Sequence, residues 1–255
     1  MYFIKKRILI NGIDTSYEVS GAIGESKTLV FLHGWGQNMN SFRDIFTLCK
    51  KNNIPYITLD LPGFGGTSRP KETWGVRDYA SFVKVFLEKV GISEPIIIGH
   101  SFGGRIAISL GGENKNLLSG IVLIGSAGIQ PIISLCRVII SNIVRPILAI
   151  VYMQKVRSFL RKKFGSVDYL NAGNMTDIFR KIISEDLQSV LSRISIETLL
   201  IWGEKDTETP VLDGKIMERE IQNSKLITFP EGTHFVFQEF SEETFEYIQK
   251  FRHSL

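Results

Sequence analysis

The chain has 255 residues, 44% of them hydrophobic and 22% charged, which suits one large α/β domain, or one domain carrying an insertion, and excludes a disordered chain. Its two cysteines, Cys49 and Cys136, are too few for a disulfide framework and fit no metal-binding spacing, so they read as reduced thiols of a cytoplasmic protein. The net charge of +4 is unevenly spread: Asn114 to Val167 holds eight basic residues and no Asp or Glu, leaving 22 basic against 26 acidic elsewhere.

Met1 to Ile10 carries Lys5, Lys6 and Arg7 but no long apolar run, so it does not read as a secretory signal. Phe3–Ile10 and Asp14–Ser20 flank Asn11-Gly12 and predict an opening antiparallel hairpin. Short apolar runs follow at Thr28–Leu32, Tyr56–Asp60, Ile96–Gly99, Gly120–Gly125, Thr198–Trp202 and Leu226–Phe229. They are apolar throughout, as central strands of a mostly parallel sheet covered on both faces must be. Helical patterns lie between them, near Ser41–Lys51, Val76–Val90, Gly104–Leu110, Leu212–Ile221 and Glu242–Phe251. Ser241 is expected to cap the last of these, with Glu242 and Glu243 in its first turn. The pattern is that of strand–helix–strand units.

One interval breaks it. About seventy residues separate Gly125 from Thr198, far beyond an ordinary connection, and they are rich in Ile, Leu and Val. They predict a helical cap over residues 129–196, splitting the main domain into 1–128 and 197–255. Within it Ile132–Ile150 reads as a helix, with Ser134, Arg137, Ser141 and Arg145 on one polar stripe. Pro146 should end or kink that helix, and a second, basic helix should run to Lys163. Three roles fit the segment: a core-packed cap, a lid lining an apolar pocket, or contact with an anionic membrane surface. No stretch is long and apolar enough to span a membrane, and no recognition motif accompanies the basic residues, so a nucleic-acid partner is not expected.

The chemistry centres on Gly99-His100-Ser101-Phe102-Gly103, directly after Ile96-Ile97-Ile98 and before the helix-compatible Gly104-Arg105-Ile106-Ala107. This is G-x-S-x-G, a serine on a sharp strand-to-helix turn. The backbone there crowds the residues two before and two after, which must be small, and the turn lifts the hydroxyl above the sheet. Serine is a poor nucleophile until a neighbouring base removes its proton, and His234, in Gly232-Thr233-His234, lies late in the chain at a strand end. Asp206, after Ile201-Trp202-Gly203, is the best acid to orient that base, although Glu204 and Glu208 share its loop. Four scattered histidines form no metal pattern.

Five motifs in order now carry a resemblance: His33-Gly34-Trp35-Gly36, Asp60-Leu61-Pro62-Gly63-Phe64-Gly65, the turn at Ser101, Trp202-Gly203-Glu204-Lys205-Asp206, and Gly232-Thr233-His234. Over essentially its whole length the chain resembles the α/β-hydrolases, whose triad follows the order Ser, Asp, His. The resemblance implies a mostly parallel eight-stranded sheet flanked by helices, with a cap after the sixth strand. It implies a triad of Ser101, Asp206 and His234, and an oxyanion hole from the backbone N–H groups of Trp35 and Phe102. The family's alternative acid position after the sixth strand reads Gly125-Ser126-Ala127-Gly128 and holds no carboxylate. The rings of Trp35 and Phe102, with Phe235, either wall a substrate pocket or pack in the core. His33 and His100 occupy positions of packing or loop structure in the family, and Asp60 to Gly66 structures a loop.

The function implied is a serine hydrolase acting on a small-molecule ester or lactone, with no cofactor. Serine at position 101 argues against dehalogenases and epoxide hydrolases, which use aspartate there. Carbon–carbon bond hydrolysis and acyl transfer use the same triad and remain alternatives, as does a small-molecule receptor on a hydrolase scaffold. Trp35 in the oxyanion loop and Phe235 after His234 weigh against the carbon–carbon reading.

Overall fold

The computed structural model describes residues 5–24, 27–113, 117–130 and 173–255. β1 (Lys5–Ile10) and β2 (Ile13–Ser20) form an antiparallel hairpin around Asn11 and Gly12. Both turn residues have positive φ, +48° and +79°, which matches the right-handed twist of the flanking strands. β3 (Leu29–Leu32), β4 (Tyr56–Leu59), β5 (Ile96–His100), β6 (Gly120–Ile124), β7 (Thr198–Gly203) and β8 (Ser224–Phe229) complete one sheet. Its order is β1-β2-β4-β3-β5-β6-β7-β8, with every pair from β4 to β8 parallel. These are the eight strands expected, with ends differing by one or two residues.

Alternation along the strands divides the core in two. Val30, Ile97, Ile121, Leu123 and Leu200 face α2 (Val76–Val90) and α3 (Phe102–Glu113). Phe31, Ile98, Val122, Ile124 and Ile201 face α1 (Arg43–Lys51) and the C-terminal helix. Successive side chains of one strand therefore enter opposite layers, which is why these runs carry no polar face.

Of the expected cap, residues 129–130 and 173–196 are described. A 3₁₀ turn at Gly173–Met175 leads into α4 (Thr176–Ser184), and α5 (Gln188–Leu191) follows. Met175, Ile178, Phe179, Ile182 and Leu191 are buried in the same cluster as α2 and α3. The helix expected over Ile132–Ile150, its Pro146 kink, the basic helix to Lys163 and Cys136 lie outside the described residues. Among the described residues no helix is long and apolar enough to cross a membrane.

After β7 come α6 (Val211–Glu220), β8, the short α7 (Val236–Glu239) and α8 (Ser241–Ser254). Ser241 was expected to cap α8, but it is the first helical residue. Phe240 stands at the cap position, and no side chain caps that end.

Candidate active site

β5 ends at His100 and α3 begins at Phe102, so Ser101 stands alone at the turn with φ +49°. A non-glycine residue adopts this conformation only where its surroundings impose it. Here they do. The Ser101 N–H donates to the Ile124 carbonyl at 3.2 Å, and the Ser101 carbonyl accepts from the N–H groups of Gly104, Arg105 and Ala127. A Cβ at Gly99 would collide with the Gly103 carbonyl, and one at Gly103 would collide with the Leu32 carbonyl. The crowding two residues either side of the serine is thus met by glycine at both positions.

The loops after β7 and β8 bring Asp206 and His234 together. His234 Nδ1 lies 2.8 Å from Asp206 Oδ2, with the aspartate side chain fully buried and the imidazole 12% exposed. Asp206 Oδ1 accepts from the N–H groups of Glu208 and Thr209, both at 2.9 Å. Burial opposes ionisation of this carboxyl, but the hydrogen bonds from His234 and Thr209 prevail and hold its pKa below the ordinary value. The competing acids point elsewhere or stay in solvent: Glu204 Oε1 accepts from the Thr228 hydroxyl, and Glu208 is exposed.

Ser101 reaches this pair through Gly125, which lies between its two backbone partners, Ile124 and Ala127. A Cβ on Gly125 would stand 3.2 Å from Asp206 Oδ2 and 3.3 Å from His234 Nδ1. The position after β6 therefore lies against the acid and the imidazole without supplying a carboxylate.

Thr209 was not singled out in the sequence. It is buried, and its Oγ1 lies 2.8 Å from Asp206 Oδ2, 3.0 Å from the Gly125 carbonyl and 3.3 Å from His234 Nδ1. Its place three residues after Asp206 is that of a side chain closing a turn on the aspartate, a signal readable in the sequence. Asp213, on α6, is a second such residue. Burial, then the charge of Asp206, pushes its carboxyl up to about 6, with Arg105 opposing.

Trp35 and Phe102 are both buried, their ring centroids 5.5 Å apart. Phe102 opens α3, so its N–H belongs to the first turn, where helical amides have no partner within the helix. Trp35 also packs on Phe64 at 4.9 Å and on Phe179 of α4 at 4.8 Å. Phe235 does not join this aromatic cluster. It is 41% exposed and lies beside His234 and His100 at 5.4 and 5.6 Å.

His33 is buried. Its Nδ1 donates to the Gly34 carbonyl at 2.8 Å while Nε2 accepts from the Leu61 N–H at 3.0 Å. One neutral tautomer satisfies both, and burial pushes its pKa down to about 4. Asp60 accepts from the N–H groups of Met39 and Gly66, both at 2.7 Å, and so ties the loops after β3 and β4 together. His253 is exposed. Among the described residues no group of three or more His, Cys, Asp or Glu is placed to hold a metal ion. An open depression lined by Lys27, Glu94, Ser119 and Glu197 lies at the N-terminal ends of the strands, the edge opposite Ser101.

A family model described as the alpha/beta hydrolase fold matches residues 27–141. The AB hydrolase superfamily protein YisY of Bacillus subtilis is 27% identical over 252 residues, covering 91% of this chain and 94% of that protein. The chain has the α/β-hydrolase fold. Solved α/β-hydrolases superimpose over nearly all of it. A membrane phospholipase A, a bacterial virulence factor, matches with TM-score 0.78 and 22% identity, over 99% of this chain and 86% of that one. An esterase from Exiguobacterium antarcticum matches with TM-score 0.74 and 21% identity, over 98% and 100%. The fold thus has esterases among its structural neighbours.

Proposed function

We propose that the chain is a serine hydrolase that cleaves a carboxylic ester or lactone through an acyl-enzyme. The observation that carries the reading is the 2.8 Å contact between His234 and the buried Asp206, in loops packed against the strained turn at Ser101. Ser101 Oγ attacks the substrate carbonyl carbon as His234 Nε2 takes the hydroxyl proton. Asp206 holds the imidazole in the Nδ1–H tautomer and stabilises the imidazolium that forms. Negative charge on the carbonyl oxygen is met by the N–H groups of Trp35 and Phe102. The C–O bond then breaks, the proton passes from His234 to the leaving alkoxide, and the acyl group stays on Ser101. Water, deprotonated by the same histidine, releases the acid and restores the enzyme. Protein, substrate and water account for every atom, so the cycle needs no cofactor.

Residues 129–196 are proposed to form the cap, with Phe179 and Trp35 on the acyl side of the site. On that reading medium or aromatic acyl esters are preferred to highly polar ones. The test is a screen of p-nitrophenyl esters of graded chain length, with lactones alongside. Ser101→Ala should abolish turnover while keeping the fold, and a fluorophosphonate should label the native protein at Ser101. Labelling at another residue, or native turnover in the alanine variant, would exclude the mechanism.

A further inference from the structure

His100 immediately precedes Ser101, and its side chain is fully buried. Its Nε2 lies 3.0 Å from the backbone carbonyl oxygen of His234. A carbonyl only accepts, so Nε2 carries the proton, and in the neutral ring Nδ1 is then a bare lone pair. Nδ1 has no hydrogen-bond partner among the described residues. It faces the loop after β3, where a Cβ on Gly34 would stand 2.9 Å away. The imidazole centroid is 4.7 Å from that of His234 and 4.7 Å from Phe237. A residue kept only for packing would not place an N–H on the carbonyl of the base while leaving its other nitrogen unsatisfied, since a buried unpaired polar atom costs stability.

We propose that His100 is a positioning residue of this site, an Nε2–H donor that ties the strand carrying Ser101 to the loop carrying His234. The proposal rests on the reading of Ser101 as nucleophile and His234 as base. One peptide link separates His100 from the serine, and its hydrogen bond ends on the base's own backbone, so the tether sets the spacing of the two reacting groups. The far side of the same loop is held independently. There Glu239 accepts from the Thr233 N–H at 2.7 Å and from the Thr233 hydroxyl. His100 is the tether on the nucleophile's side.

Its neutrality matters as much as its position. A cation here would repel the imidazolium that forms on His234 in each half-reaction. Burial, reinforced by His234 itself and by His33, pushes the His100 pKa down to about 3, against the opposing pull of Asp206 and the His234 carbonyl. The ring therefore stays an uncharged donor throughout the pH range in which an ester hydrolase works.

Two measurements test this. In full-length protein with ¹⁵N-labelled histidines, His100 is identified by the signals missing from His100→Gln. It should show a protonated Nε2 and an unprotonated Nδ1, unchanged between about pH 5 and 8, the interval where free histidine titrates. The opposite tautomer, or titration in that interval, overturns the proposal. In kinetics on a p-nitrophenyl ester, folded His100→Leu should lose on the order of 10²-fold in kcat, the cost of a small misplacement of reacting groups. Its KM should stay within about twofold, and fluorophosphonate labelling of Ser101 should slow in parallel. His100→Gln, whose amide N–H can reach the same carbonyl, should recover most of that loss. Native kcat in His100→Leu, or equal loss in both variants, overturns the proposal. Native activity in Ser101→Ala would instead strike the underlying mechanism, so the two failures are distinguishable.

Discussion

Asp206 has both carboxylate oxygens occupied, Oδ1 by two backbone N–H groups and Oδ2 by His234 and the Thr209 hydroxyl. Asp206→Asn keeps the shape but puts an amide where an acceptor must be, which favours the wrong imidazole tautomer. The expected loss in kcat is up to ~10⁴-fold, as for triads generally. Glu204→Gln should change kcat little, because its carboxylate serves Thr228 on β8. Steady-state kinetics of the two variants side by side checks the assignment, and a larger loss at Glu204 would refute it. The buried histidines make a separate prediction about pH. His33 and His100 have folded-state pKa values of about 4 and about 3, below the ordinary 6.5. The unfolded chain therefore binds more protons than the native state below pH 6.5. Stability is complete above that pH and is lost as pH falls toward the folded values, by up to about 1.4 kcal/mol per pH unit for each histidine. Urea unfolding from pH 7.5 down to 5 reads this slope, measured in an Asp213→Asn background because the Asp213 carboxyl, raised to about 6, titrates in the same interval and opposes it. A flat profile there would show that these rings are not held neutral.

α3 and α4 are joined through one buried cation. Arg105, four residues past Ser101, is 6% exposed and donates to the carbonyls of Ile182 and Glu185 at the C-terminal end of α4. Burial pulls its guanidinium pKa down to about 10, which leaves it charged, and a cation suits the negative end of a helix dipole. The Glu185 carboxylate in turn accepts from the Val76 N–H at the start of α2. These contacts hold Phe179 against Trp35. Arg105→Met should destabilise the fold by about 1–3 kcal/mol, because two carbonyls lose their donor. Phe179→Ala should cost about 3–5 kcal/mol, the usual range for emptying a buried aromatic site. It should also shift ester preference toward bulkier acyl groups. Denaturation curves and the chain-length profile test both variants. An unaltered profile in Phe179→Ala would remove this ring from the acyl site.

Across the whole molecule, the proposed site and the densest positive charge occupy different stretches of sequence. Ser101, Asp206 and His234 come from loops at the C-terminal ends of β5, β7 and β8, the edge where ligands bind in open α/β sheets. The eight basic residues between Asn114 and Val167 lie in a stretch without a single carboxylate. A variant lacking residues 132–163 separates the roles proposed for that stretch. If it sets specificity, the deletion should flatten the chain-length profile while Ser101 still labels with fluorophosphonate. If the deleted protein folds and keeps its preference, the segment does not select the acyl group. Loss of salt-sensitive binding to anionic vesicles would then assign it to a membrane surface.

The sequence by itself determined the strands, because a run such as Ile96-Ile97-Ile98 buried on both faces has no polar side to hide. It also determined the turn at Ser101, because only glycine fits where Gly99, Gly103 and the Leu32 carbonyl crowd together. Both are requirements of a short stretch of backbone, and they are legible in that stretch. The interval between β6 and β7 was less so. TDIFRKIIS has the apolar spacing of α4, but only packing against Trp35 and Arg105 decided which side Phe179 would face. The tertiary structure alone decided among the carboxylates of the Asp206 loop, and it alone brought out the contact of Thr209 with His234 and the bond from His100 to His234. Their partners are 25 to 134 residues away along the chain. They meet only because parallel pairing places β5, β6, β7 and β8 side by side, with the loops at one edge converging on the same few ångströms.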